Sequence, residues 1–193
     1  MKNIITILVV FFLLSCSDSE NKNIPNLKSP QIQKDLLNYV LKAQQESKNA
    51  DNDMRRENIL TLRNKNFCGV MRKNLTVSNW TGWIETINTT KGGRGALSIK
   101  IGNNVSVGTL GISLRSQIGD FFYDTLIEKG TELYNDVSTL KSGQEVIFSG
   151  SFFRGRGEHK DSCLFVNTRG LKSNLSNPNF LFKFTNISVL RED

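Results

Sequence analysis

The stretch Trp80-Thr81-Gly82-Trp83-Ile84 decides the fold that this sequence predicts, because it places a glycine inside a segment with the composition of a β-strand. Aromatic and β-branched residues favour strands, whereas a glycine in a strand interior marks a bulge or a sharp bend. We therefore predict a bent first strand over residues 77–90. Because the two tryptophans are three residues apart on this strand, we expect one in the core and the other exposed.

Four further strands are predicted after this one. A glycine-rich connection at residues 91–95 leads into the second strand, in which apolar Leu97, Ile99 and Ile101 alternate with polar residues. Such period-two alternation is typical of a strand with one buried face. The remaining predicted elements are, in chain order, a strand at residues 105–109, a short helix at 131–141, a strand at 145–153 and a strand at 180–189.

This order of elements predicts the fold class. Five strands, a bent first strand and a short helix before the fourth strand are the order of an OB-fold barrel. We therefore expect a mainly β protein with N-terminal helices (α+β), in which an OB-fold-like barrel domain at residues 74–193 follows a helical arm at residues 31–73. Alternation alone does not require the sheet to close, so a β-sandwich and an open meander are alternatives.

Two short motifs in the predicted strands resemble those of a known group of domains. The W-x-G-x-I pattern at residues 80–84 and the G-x-x-V-x-F-x-G pattern at residues 143–150 resemble uncharacterised bacterial OB-fold domains, which are loosely grouped with anticodon-binding-like OB domains. The resemblance covers residues 77–190. Its motifs mark strand bends and strand starts, so it implies the fold and does not imply tRNA binding.

Residues 31–73 predict two helices. Ser29-Pro30 supplies a cap and a first-turn proline, and Ile32, Leu36 and Val40 form an apolar stripe. Residues 49–53 have the composition of a helix end and a new N-cap, and the apolar residues of the second helix are Met54, Ile59, Leu62, Phe67, Val70 and Met71. On or beside its polar face we expect Arg55, Arg56 and Arg63, either as solvated side chains or as a ridge that binds phosphate or lipid headgroups.

The beginning of the chain predicts export. One charged residue, Lys2, precedes an apolar run over residues 4–14, which is the layout of a secretion signal and is shorter than the roughly 20 residues of a spanning helix. The following Leu13-Leu14-Ser15-Cys16 resembles the lipobox of bacterial lipoproteins. The resemblance implies a signal peptide at residues 1–15, acylation of Cys16 and anchoring in the cell envelope. The alternative is an ordinary cleavage site with a chance cysteine.

The residue after the cysteine and the segment beyond it refine this prediction. Ser17 follows Cys16 where an aspartate would signal retention, and this resembles the pattern of sorting to the periplasmic face of the outer membrane. Residues 16–30 are polar and contain two prolines, so we expect a flexible tether between the lipid and the folded part.

Cysteine usage agrees with an oxidising compartment. With Cys16 acylated, Cys68 and Cys163 form an even pair, for which we predict a disulfide; the alternative is two free buried thiols. No C-x-x-C motif is present and the chain has one histidine, so we expect no metal and no cofactor.

Charge is unevenly distributed. Residues 16–73 carry eleven basic and seven acidic side chains, whereas residues 74–193 carry thirteen and eleven. The basic excess near the anchor is either a solvated surface or a contact with anionic headgroups. The near balance of the β-domain disfavours a nucleic-acid ligand, because binding to a phosphate chain requires a strongly positive groove.

No catalytic constellation stands out. His159 and Asp161 lie in a glycine-rich charged loop and are the residues on which an unrecognised envelope hydrolase would depend. A calcium site at Asp120, Asp124 and Glu128 is a second possibility, although their spacing matches no EF-hand loop and a solvated acidic turn is favoured.

We therefore expect a non-enzymatic envelope lipoprotein that binds a protein or an envelope polymer. A single-stranded nucleic-acid binder in the periplasm is the alternative from the same fold. By analogy with the fold, the predicted binding face consists of Trp83, Lys91, Arg94, Arg154 and Arg156.

Overall fold

The computed structural model of the chain describes residues 28–71, 75–110, 123–155 and 163–190. Its elements, in chain order, are α1 (Gln31–Lys48), α2 (Asp53–Met71), β1 (Thr76–Thr89), β2 (Gly95–Gly102), β3 (Val105–Gly108), α3 (Glu132–Thr139), β4 (Glu145–Phe152), α4 (Leu171–Ser176) and β5 (Asn179–Val189). A five-stranded mixed sheet with helices before it confirms the predicted α+β class. The short helix α4 lies where the sequence indicated only a loop.

Each strand of the sheet has two neighbours. β1 is antiparallel to β2 and to β4, and β3 is antiparallel to β2 and parallel to β5. β5 and β4 are antiparallel, which makes the strand order β1-β2-β3-β5-β4. The sheet is therefore mixed, with four antiparallel pairs and one parallel pair.

Gly82 is required where β1 crosses closest to β2. A Cβ atom at this position would lie 2.6 Å from the carbonyl oxygen of Lys100 and 2.7 Å from Cγ2 of Ile99. Register shifts occur on either side of the glycine, between Val77 and Trp80 and between Ile84 and Thr86. Two bulges therefore interrupt the first strand, with a close backbone approach between them.

The inner faces of the strands form an aromatic core. Trp80 is fully buried (0% exposed), and its ring lies 5.2 Å from that of Phe152 in an edge-to-face contact. Phe148 and Phe182 make a similar contact at 5.6 Å, the geometry that aromatic pairs prefer. The predicted alternation of β2 is confirmed, since its three apolar residues are buried and Lys100 is exposed.

Both long helices belong to this same core. Leu36 and Val40 of α1 and Phe67 and Met71 of α2 pack in one cluster with Trp80. The helical segment at residues 31–71 therefore packs against the strands in one core. The break between the helices at residues 49–52 is as predicted.

The start of α1 differs from the prediction. The residue preceding the helix is Pro30, and no side chain caps the first turn. Ser29, the expected cap, instead shares a hydrogen bond with the hydroxyl of Thr81. The contact between helix and strand competes with capping because Thr81 lies directly beneath this turn, which the local sequence does not reveal.

Arg63 is buried, with 2% of its surface exposed, although the sequence predicts it on or beside the polar face of α2. Its guanidinium donates to the backbone oxygen of Asn174 (2.7 Å) and to the side-chain oxygen of the same residue (2.8 Å). It also lies 5.4 Å from the ring centroid of Phe67, and its Nε has no partner. Burial lowers the pKa of Arg63 to about 10. The unpredicted helix α4 supplies the acceptors that make this burial possible.

In contrast to Arg63, two apolar residues of α2 lie on the surface. Met54 is 82% exposed and Leu62 is 47% exposed, although both were grouped with the apolar residues of the helix. Arg55 is exposed and pairs with Asp51 at 3.9 Å, and Arg56 pairs with Asp53 at 2.8 Å. The three arginines therefore do not form one ridge.

A covalent link joins α2 to the segment before α4. The sulfurs of Cys68 and Cys163 lie at bonding distance, and their Cα atoms are 5.2 Å apart. The two cysteines that the sequence paired are therefore confirmed as disulfide neighbours, across a sequence separation of 95 residues.

Candidate functional site

The residues of the predicted binding face do not lie together around Trp83. Lys91 and Arg94 lie in the turn between β1 and β2, where Arg94 pairs with Glu128 at 3.6 Å. Trp83 is half-buried and lies eight residues before Lys91 along the chain, which is roughly 26 Å of extended strand. The turn and the tryptophan are therefore separate parts of the surface.

The remaining two predicted residues lie elsewhere. Arg154 follows β4 and the neighbouring Phe153, whose ring lies 5.4 Å from that of Tyr123. Arg154 is thus adjacent to a second aromatic group, which also includes Phe165 at 5.3 Å from Tyr123. Arg156 is outside the described residues, as are Cys16, His159 and Asp161.

Strand pairing surrounds Trp83 with other side chains. It pairs with Lys100 of β2 on one side and with Glu145 of β4 on the other. Lys100 in turn pairs with Ser106 of β3, and Ser106 pairs with Asn179 of β5. Paired residues of neighbouring strands project from the same face. The outer surface of the sheet therefore carries a row with an aromatic ring between a cation and a carboxylate.

A second carboxylate lies on this face, at a β-bulge. Glu85 is the extra residue where the register shifts between Ile84 and Thr86. Bulges are frequent next to functional sites because they redirect a side chain. Glu85 projects from the same face as Trp83 because the two residues are two positions apart on β1, and its Oε2 accepts hydrogen bonds from Ser98 (2.7 Å) and Ser106 (3.0 Å).

We call this group the outer patch: Trp83, Glu85, Ser98, Lys100 and Ser106. Both serines donate to the same oxygen of Glu85, so the carboxylate is held in one orientation before any ligand arrives. The backbone beneath it is also fixed, since Ser142 donates to the carbonyl oxygen of Glu85 at 3.0 Å. The patch offers an aromatic face, an oriented acceptor and a cationic donor, a combination suited to binding a polar ligand with planar or ring-shaped apolar faces.

Both serines of the outer patch act as hydrogen-bond donors to Glu85. A serine nucleophile needs a general base that accepts its proton, usually a histidine. The hydroxyls of Ser98 and Ser106 are occupied by Glu85, and the single histidine of the chain lies outside the described residues. The hydrolase hypothesis, which depends on His159 and Asp161, therefore stays a prediction.

The acidic residues weighed as calcium ligands are engaged elsewhere. Asp124 pairs with Lys183 and Glu128 with Arg94, and Asp120 is outside the described residues. Within residues 28–71, 75–110, 123–155 and 163–190, no group of three or more histidine, cysteine, aspartate or glutamate side chains could hold a metal ion.

Sequence reasoning identified Trp83 but missed Glu85 and the two serines. The signal available for Glu85 was its spacing, since residues 83 and 85 lie on one face of a strand. The serine partners of Glu85 come from β2 and β3 and depend on the register between strands.

Comparison with protein-family models, with curated proteins and with solved structures finds no match for this chain. In the described part of the chain, no helix combines the length and the apolar character needed to cross a membrane.

Proposed function

We propose that this chain is a membrane-anchored envelope lipoprotein whose OB-type barrel is a non-enzymatic binding module for a protein or envelope-polymer ligand. The anchor is supported by the lipobox-like Leu13-Leu14-Ser15-Cys16 after a charged start and an apolar run. Two or more acyl chains on Cys16 make attachment durable. The pairing of Cys68 with Cys163 agrees with an exported protein, since disulfides persist in oxidising compartments.

The strand arrangement supports the OB-type barrel. Pairing runs from β1 through β2, β3, β5 and β4 and returns to β1. The helix α3 lies between β3 and β4, which is the order of an OB-fold. OB-folds bind oligonucleotides and oligosaccharides on the face of strands 2 and 3. Ser98, Lys100 and Ser106 of the outer patch occupy this face.

The observation that carries the function is the carboxylate of Glu85, oriented by two hydroxyls beside a half-buried tryptophan. A sugar ring can stack its apolar face on the indole while its hydroxyl groups donate to the carboxylate. A phosphate chain would meet repulsion from Glu85 and from Glu145 on the neighbouring strand. The patch therefore favours an envelope glycan over a single-stranded nucleic acid, which requires a positive groove.

The test compares three ligands on the full chain purified in detergent. Insoluble peptidoglycan, a soluble N-acetylglucosamine oligomer and a single-stranded oligonucleotide are each assayed for binding at low and at physiological salt. We expect retention on the glycan with weak salt dependence. Trp83→Ala should lower that retention at least tenfold, whereas Tyr123→Ala, which alters the second aromatic group, should leave it near the wild-type value.

Other outcomes would redirect the proposal. Salt-sensitive binding to the oligonucleotide without glycan retention would favour the nucleic-acid alternative. Crosslinking of the anchored chain in its native envelope that captures one protein through the outer patch, with no glycan retained, would assign the module to a protein ligand.

A further inference from the structure

A buried polar contact attaches the beginning of α1 to β1. The side chain of Gln33 donates to the carbonyl oxygen of Thr81 at 2.7 Å and accepts from its backbone N–H at 3.0 Å. Ser29 and Thr81 share a further hydrogen bond of 2.6 Å between their hydroxyls. All three residues are buried. We call this contact the Gln33 clasp.

The Gln33 clasp pairs backbone groups of β1 that have no partner in β2. Pairing of β1 with β2 begins at Trp83, whereas pairing with β4 includes Thr81. The N–H and C=O of Thr81 that face away from β4 therefore have no partner in β2, and the amide of Gln33 satisfies both. Buried backbone groups left unpaired are unfavourable, so this end of α1 is firmly attached.

The clasp also determines where the N-terminal segment leaves the domain relative to the outer patch. Thr81 and Trp83 are two residues apart on β1, and their partners Ile147 and Glu145 show that both project from the outer face. Two residues of strand span about 7 Å. The chain that leads back to Cys16 therefore leaves the domain beside the outer patch.

The length of that chain limits how far the patch can be from an anchor. Twelve residues lie between Cys16 and Ser29, and the tether that the sequence predicts there would have a root-mean-square span of about 20 Å. A domain of this size is roughly 40 Å across. The side on which the tether leaves is therefore held nearer to the membrane than the opposite side.

We infer that the anchored domain presents its outer patch toward its own membrane, so that the ligand of the patch is a glycan displayed at that membrane surface. The inference rests on the proposed acylation of Cys16. It explains why a helix turn is fixed on β1 by a buried polar contact: the contact keeps tether and patch on one side of the molecule.

Energy transfer from tryptophan to dansyl-labelled lipid headgroups tests this orientation on the full acylated chain in vesicles. The native pair Trp80 and Trp83 reports the position of the patch. The matched reference is the double variant Trp83→Phe, Met54→Trp, because Met54 is highly exposed and follows the far end of α1. The 18 residues of α1 place that end about 27 Å from its start. Trp80 is common to both proteins.

We expect transfer at least twofold greater in the native chain than in the double variant. Inserting twenty Gly and Ser residues after Ser17 should reduce this difference, because the longer tether frees the orientation. Equal transfer in the two acylated proteins, or greater transfer from position 54, would overturn the inference while leaving glycan binding in detergent untouched. The mass of the N-terminal peptide reports acylation, and a chain without acyl groups on Cys16 overturns both the anchor and the orientation.

Discussion

The two faces of β1 use similar residues for different purposes. On the inner face, Trp80 is fully buried and Gly82 allows β2 to approach. On the outer face, Trp83 is half-buried between a cation and a carboxylate, and Glu85 is held by two hydroxyls. The side chains of the inner face belong to the core, whereas those of the outer face form a hydrogen-bonded surface group that we propose binds a ligand. Comparing variants of the two faces therefore separates folding from function.

The largest expected effect comes from the inner face. Trp80→Ala should lower the free energy of unfolding by about 3–5 kcal/mol, because a large buried aromatic side chain leaves a cavity. Trp83→Ala should lower it by less than about 1 kcal/mol, since the side chain is only partly buried. Denaturant unfolding of both variants measures the difference. Equal losses would show that the two faces are not distinct in this way.

The second largest effect on stability is expected from the disulfide between Cys68 and Cys163. Cys163→Ser should lower the free energy of unfolding by about 2–5 kcal/mol, because the bridge closes a loop of 95 residues in the unfolded chain. Cys68→Ser should have the same effect, and the double variant should add little to either. Thermal unfolding with and without reductant measures this, and a wild-type protein indifferent to reductant would contradict it.

The two contrasting arginines of α2 come next. Arg63→Ala should cost about 2–4 kcal/mol, because two part-buried acceptors on Asn174 lose their donor at about 1–2 kcal/mol each. Arg55→Ala, its exposed control, should change stability by less than about 0.5 kcal/mol. Urea unfolding of both variants provides the comparison, and similar costs would return Arg63 to the polar face where the sequence suggested it.

Arg63 also carries a pH dependence of known sign. Because burial lowers its pKa to about 10, the folded protein releases this proton at a lower pH than the unfolded chain. Above about pH 10 the unfolded state binds more protons, so the contribution of Arg63 to stability rises with pH. Subtracting the pH profile of Arg63→Ala from that of the wild type isolates this slope, and a falling difference would contradict the assignment.

The smallest effect on stability tests the link between the tether and β1. Gln33→Ala should cost about 1–3 kcal/mol, because the backbone groups of Thr81 lose their partner. Gln31→Ala, which removes only an exposed bond to Asp35, should be nearly neutral. Hydrogen exchange of the Thr81 amide provides a local readout, and unchanged protection in Gln33→Ala would show that another group satisfies it.

The fold could be predicted to a large extent because it depends on periodicity. Alternation in β2 and the apolar stripe of α1 reflect burial that each segment records in its own sequence. The pairing of Cys68 with Cys163 followed from compartment and parity. Side chains whose place depends on a distant partner could not be predicted: Arg63 is buried because Asn174 accepts from it, and Ser29 fails to cap because Thr81 binds it.

The candidate site was less predictable for the same reason. Trp83 was identified from residue type, and Lys91 and Arg94 from their turn, but nothing local indicated that Lys100 pairs beside Trp83. Glu85 shares the face of Trp83 by simple alternation, but its hydrogen bonds to Ser98 and Ser106 depend on the register between strands. Register is a property of the pair of strands, which a single segment does not encode.

The claim at the centre of this account is that the outer patch binds a ligand through an oriented carboxylate beside an aromatic ring. Glu85→Gln tests it most directly, because it keeps the shape of the side chain and removes its charge. We expect glycan retention to fall at least tenfold while the midpoint of thermal unfolding stays within about 2 °C of the wild type. Retention equal to the wild type in a folded Glu85→Gln protein would contradict the account.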